Sequence, residues 1–87
     1  MIRKKLTVRN EHGIHARVAL RVAEMCRLGS SNITICKGCE KASGCSVLEL
    51  LMLGAGNGTE IEIVASGGEE RKSVDDIAQI FSQGSGI

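Results

Sequence analysis

At 87 residues the chain has room for one domain with a real but thin core. Lys and Arg total 11 against 10 Asp and Glu, and Phe81 is the only Phe, Tyr or Trp. This argues against a nucleic-acid binder, which needs a basic excess and rings for stacking. A 43% hydrophobic content without proline argues against disorder, and the longest apolar run, Val47 to Ala55, is broken by Glu49 and too short to span a bilayer.

Lys5-Leu6-Thr7-Val8-Arg9 alternates, and Ile2, Leu6 and Val8 fall on nearly one face, which predicts a half-buried strand. Asn10-Glu11-His12-Gly13 is polar and turns at Gly13. From Ala16 to Arg27 the residues favour helix, with Ala19, Val22, Ala23 and Cys26 on one stripe and Arg17, Arg21 and Glu24 opposite. Gly29 stands where a left-handed cap would sit. Asn32 to Cys36 alternates again; Lys37-Gly38 reads as a hairpin turn and Cys39 to Ser43 as a weak return strand. Ser46 and Glu49 have the spacing of a capping box opening a short helix, Val47 to Leu53, that stops at Gly54. Thr59 to Ala65 alternates, with Ile61 and Ile63 on one face. Ser66-Gly67-Gly68 then leads to a last helix carrying Val74, Ile77, Ala78 and Phe81, behind Ser73 with Asp76 three residues later. The tail, 84–87, is expected to fray.

The order β-α-β-β-α-β-α, with one-faced strands and one-striped helices, predicts an α+β fold of two layers: helices covering one face of a mainly antiparallel sheet. No internal repeat or linker divides residues 1–87, which read as one domain. The charge is uneven. Residues 1–27 hold seven basic and two acidic groups (+5) and residues 28–87 four and eight (−4), so one end is basic and suited to an acidic partner. The start of the chain lacks the apolar segment of a signal peptide, which suggests the cytoplasm, where Cys26, Cys36, Cys39 and Cys45 would be mostly reduced thiols.

Gly13-Ile14-His15-Ala16-Arg17 carries the most chemistry. At a helix start, His15 lies by unpaired backbone N–H groups and the positive end of the helix dipole. That position disfavours the protonated ring, leaving an imidazole lone pair to act as nucleophile. The N–H groups of Ala16 and Arg17 offer an anion cradle, and Arg17 adds a planar fork matched to phosphate oxygens. A phosphoryl-accepting histidine is one reading; a helix-start histidine with a solvated neighbour is the other. Cys36-Lys37-Gly38-Cys39 has the spacing of a zinc knuckle and Cys45 follows, but a fourth ligand is lacking because Cys26 sits on a buried stripe. Packed or exposed thiols are the plainer reading, with Cys36 and Cys39 a possible redox pair.

Gly-Ile-His-Ala-Arg after a first strand resembles the active-site signature of HPr, the histidine-containing phosphocarrier of the bacterial phosphoenolpyruvate:sugar phosphotransferase system. The stretch from Ser46 to Ala55 resembles the family's regulatory serine and apolar helix, and Gly58 to Ile63 the strand that follows. The resemblance implies an open-faced β-sandwich. It also implies a carrier without bound cofactor, in which His15 becomes a transient phosphohistidine on Nδ1, stabilised by Arg17. Enzyme I would be the donor and IIA-type sugar permease components the acceptors, with an HPr kinase/phosphorylase acting on Ser46. Such a protein is not a self-sufficient enzyme. It is expected to be a cytoplasmic monomer without nucleic-acid or membrane insertion roles. A docking face is expected from Leu20, Arg21, Val47, Leu48, Leu51 and Met52, although part of the last four must serve the core. The chain departs from the family pattern at Val18, where proline is usual, at His12, and at Cys45 and Glu49 around Ser46. Two alternatives accompany this reading: a regulatory protein–protein module controlled through His15 and Ser46, and a small metal or redox protein organised by the cysteines.

Overall fold

The computed structural model describes residues 1–9, 16–29 and 31–82. These form four strands and three helices in the expected order: β1 (Ile2–Thr7), α1 (Ala16–Leu28), β2 (Asn32–Lys37), β3 (Glu40–Ser43), α2 (Val47–Met52), β4 (Glu60–Ser66) and α3 (Glu70–Ser82). All strand pairs are antiparallel, and the sheet runs β1-β4-β2-β3. β4 therefore lies between β1 and β2, pairing Ile63 with Lys4 on one side and with Ile35 on the other. The tail 84–87 lies outside the described residues.

Alternation fixes which side of the sheet is covered. Ile33 and Ile35 of β2, Ala42 of β3, and Ile61, Ile63 and Ala65 of β4 are buried under the helices. β1 contributes Ile2 and Leu6 at the rim, and Val8, just past its end, is fully buried. Lys4 shares that side of the edge strand, and its Nζ reaches Asp75 of α3 at 3.8 Å. The helix stripes run where the spacing put them and one residue wider: Val18 joins the α1 stripe and Ile80 that of α3, around a fully buried Phe81.

Several local expectations need correction. Lys37 pairs with Glu40, so the hairpin turn is Gly38-Cys39 and Cys39 belongs to it rather than to β3. Gly29 ends α1 outside the left-handed region, its N–H donating to Met25 O at 3.0 Å. It packs closely on α3 instead, where a Cβ would stand 3.1 Å from Ser73 Oγ. Ser73 does not cap α3, which starts three residues earlier; its hydroxyl donates to Ser31 Oγ at 3.3 Å. The carboxylate of Glu70, the first residue of α3, reaches back to accept from Gly67 N–H at 2.7 Å.

Glu70 also meets the Met1 amino group at 3.2 Å. The Gly67 hydrogen bond first, and then that of the amino terminus, hold its carboxyl below the usual value of 4.5. A carboxylate with a depressed folded pKa stabilises the protein above its unfolded pKa, and the benefit disappears as pH falls through the folded value. Glu70→Gln is therefore expected to flatten the fall in stability below about pH 4.5, with the gap from the parent widest near neutrality and closing in acid. Urea midpoints across a pH series measure it.

Candidate functional site

His15, His12 and the rest of segment 10–15 lie outside the described residues, but both ends of that segment are fixed. Before it, Val8 N–H donates to Thr59 O at 2.9 Å, Gly58 N–H donates to Val8 O at 2.8 Å, and Arg9 N–H donates to Phe81 O at 2.8 Å. After it, α1 is described from Ala16, and Val18 and Ala19, two and three residues on, are buried. Val18 thus supplies core. Ala16 and Arg17 are the first two described residues of α1. Both are exposed.

The second element of the site is α2. Six residues are too few for a helix to persist by itself, so its neighbours must hold it. Leu50 and Leu53 are buried in the core, and Val47 packs against it. Ser46 is the N-cap, its Oγ accepting from Glu49 N–H at 3.2 Å. The expected capping box is not closed in the usual way. Ser46 N–H already donates to Ser43 O at 3.1 Å, and the Glu49 carboxylate reaches three residues further back and accepts from Ser43 N–H at 2.9 Å. At the other end, Lys37 Nζ donates to Leu53 O at 2.7 Å and lies 3.7 Å from Glu40. Sequence reasoning missed Lys37 because the carbonyl it caps is sixteen residues away.

Held in this way, α2 turns Leu48 (68% exposed) and Met52 (72%) into solvent, with Leu51 partly so. On α1, which packs against α2, Leu20 is half exposed and Arg21 and Arg27 are exposed. Of the residues expected at a docking face, Val47 departs: most of it serves the core.

The cysteines overturn one expectation. Cys26 and Cys45 form a disulfide, with Cα atoms 5.3 Å apart, while Cys36 and Cys39 are free. Two of the four are thus not thiols, and Cys45 is unavailable to a zinc knuckle. The linked pair is also not the one suggested by C-x-x-C spacing. The reason is packing: α1 lies on α2, which brings the end of the Cys26 stripe to the loop before Ser46. No cluster of three or more potential metal ligands occurs among the described residues, nor any helix long and apolar enough to cross a membrane.

The family model for the PTS HPr component phosphorylation site matches residues 2–83. The chain belongs to the PTS HPr family. As an HPr-family protein it is a phosphocarrier of the phosphotransferase system, not an enzyme in itself. It is 35% identical over 79 residues to phosphocarrier protein NPr of Shewanella violacea, covering 91% of this chain and 87% of that one. To NPr of Proteus mirabilis it is 32% identical over 83 residues, covering 93% and 91%. Among solved structures, the histidine-containing phosphocarrier protein of a Mycoplasma superposes with a TM-score of 0.83 at 28% identity, over 90% of this chain and 89% of that one. HPr of Thermoanaerobacter tengcongensis superposes at 0.91 over 100% and 98%; at 23% identity it speaks to the HPr fold alone.

Proposed function

We propose that this HPr-family protein accepts a phosphoryl group from phospho-enzyme I on His15 Nδ1 and passes it to IIA-type acceptors. The observation that carries the reading is the match of residues 2–83 to the PTS HPr component phosphorylation site, beside which Ala16 and Arg17, the residues that follow His15 in sequence, are exposed in α1. A helix N-terminus disfavours the imidazolium and welcomes a phosphate, so one location prepares both the nucleophile and its product. The imidazole lone pair attacks phosphorus as the bond to enzyme I breaks. The developing phosphohistidine carries its negative charge beside the first-turn N–H groups and the Arg17 guanidinium. Transfer onward repeats the exchange in the other direction, and no bound cofactor takes part.

Leu20, Arg21, Leu48, Leu51 and Met52, with the edge of Val47, form the docking face in this reading. Exposed apolar side chains beside basic ones suit an acidic groove with an apolar floor. Ser46 is a second, regulatory phosphorylation site for an HPr kinase/phosphorylase. Its hydroxyl must leave the Glu49 N–H to react, and a phosphate there would meet the Glu49 carboxylate. The protein acts as a cytoplasmic monomer.

Intact mass after incubation with phosphoenolpyruvate, magnesium and enzyme I tests the reading. One added phosphoryl group, stable in base and lost in acid, supports it; no gain refutes it. Arg17→Lys is expected to slow transfer roughly tenfold, because an ammonium cannot reproduce the two parallel hydrogen bonds of a guanidinium. Rapid-quench transfer rates check this.

A further inference from the structure

We propose that Cys26 and Cys45 are a reversible thiol–disulfide site whose state sets the affinity of the docking face for enzyme I. The inference rests on the phosphocarrier reading above and adds a control to it.

The pair joins the two helices that supply the docking face. Cys26 is two residues from the end of α1, on its buried stripe and 4% exposed. Cys45 is partly exposed and immediately precedes Ser46, the N-cap of α2. Among the described residues, the polar ties of the loop carrying Cys45 run toward the sheet. Gly44 N–H donates to Ile33 O at 2.9 Å, and a Cβ on Gly44 would fall 2.6 Å from Ile33 Cγ2, so the backbone lies directly on β2. Cys45 N–H donates to Ser43 Oγ at 3.3 Å, Glu49 reaches back to Ser43, and Lys37 holds Leu53. Each of these polar ties runs to β2, β3 or the loop between β3 and α2. The disulfide is the covalent tie to α1. Opening it leaves α2 anchored on the hairpin, without its covalent link to the helix that carries Leu20 and Arg21. A partner must then order the two helices as it binds, and that ordering lowers affinity.

The chemistry has one point of attack. An incoming thiolate reaches Cys45 Sγ rather than the buried Cys26 Sγ. It forms a mixed disulfide on Cys45, and Cys26 departs as a thiolate that takes up a proton. A second thiol of the reductant attacks the mixed disulfide, releasing Cys45 as a thiol and the reductant as its own disulfide. Two electrons pass from a dithiol, or from two small-molecule thiols, to the protein; a small-molecule disulfide reverses the sequence. In a thiol-buffered compartment a disulfide of this kind is a responsive element rather than a permanent staple. Its effect stays on docking. Ala16 and Arg17 are ten and nine residues up α1, roughly 15 Å away at 1.5 Å per residue, at the opposite end of the helix.

The test uses the full chain carrying Cys36→Ser and Cys39→Ser, so that only this pair responds. The protein is poised with dithiothreitol or with oxidised glutathione, its thiols are counted by alkylation and mass, and phosphorylation by phospho-enzyme I is followed over a range of carrier concentrations. Reduction is expected to raise KM about five- to tenfold with kcat unchanged, and reoxidation to restore it. The same background with Cys26→Ala and Cys45→Ser should hold the high KM under both poises. Equal KM in protein shown to be fully reduced and fully oxidised would overturn the proposal. So would peptide mapping that finds no link between 26 and 45 after oxidation. If neither state accepts phosphate, the phosphocarrier reading fails, and amide exchange across residues 47–53 decides the staple itself: faster exchange on reduction supports it, and unchanged exchange overturns it.

Discussion

His15→Ala is expected to abolish acid-labile phosphoryl incorporation while leaving stability within about 0.5 kcal/mol of the parent. The first half follows from chemistry. Alanine has no lone pair, and neither the first-turn N–H groups of α1 nor Arg17 can form the covalent bond to phosphorus. The second half follows from the sequence reading, in which His15 lies on none of the apolar stripes or alternating faces that supply the core. Intact mass measures the first and urea denaturation the second. A full label on the variant would move the nucleophile elsewhere, with His12 the next imidazole to test.

The joint variant Leu48→Glu, Met52→Glu is expected to lower kcat/KM for transfer from enzyme I by more than about 30-fold, the effect of losing a single central contact of about 2 kcal/mol. Both side chains are more than two-thirds exposed, so their replacement removes little from the core. It does remove apolar area from the proposed interface and puts two carboxylates where an acidic partner would dock. Leu50→Ala, on the same short helix, is the contrasting case. Leu50 is fully buried, and its truncation should cost roughly 2–5 kcal/mol of stability, read from the urea midpoint, with little effect on transfer by the folded fraction. Steady-state transfer kinetics beside denaturation curves separate the two roles. Equal kinetics in the Leu48/Met52 variant and the parent would place the docking face elsewhere.

What the sequence discloses follows from what periodicity encodes. Alternation in Ile33-Thr34-Ile35 and Ile61-Glu62-Ile63 says which side chains point inward, and the burial pattern agrees. It says nothing about which strand lies beside which, so the central place of β4 was not legible. Ser73 and Asp76 imitate a helix start because cap spacing can recur inside a helix; the Gly67–Glu70 hydrogen bond that marks the true start looks unremarkable in sequence. The disulfide escaped for a similar reason. Cys26 and Cys45 are 19 residues apart, and only the packing of α1 on α2 makes them neighbours, whereas Cys36 and Cys39 are close along the chain and remain free. For the site, Gly13, Ile14 and His15 of the motif lie outside the described residues, while its Ala16 and Arg17 stand in α1. Lys37 as a clamp on α2 and Glu49 as a tie to Ser43 emerge only once the hairpin and helix are assembled.

The central place of β4 also bears on how the protein is made. β1 and β2 do not pair with each other; each pairs with β4, which is the sixth of seven elements. A nascent chain that has emerged as far as α2 therefore holds β1 as a lone strand and a β2–β3 hairpin whose β2 edge is still unpaired, and Ile33 and Ile35 lack the strand that completes their cover. Such pairings between distant segments slow folding, and open edges invite pairing with other chains. The closing step, in which β4 slides into the gap and seals both edges at once, must wait until residue 66 has been synthesised. Shortened chains ending before it should collect as aggregates rather than as partly folded carriers.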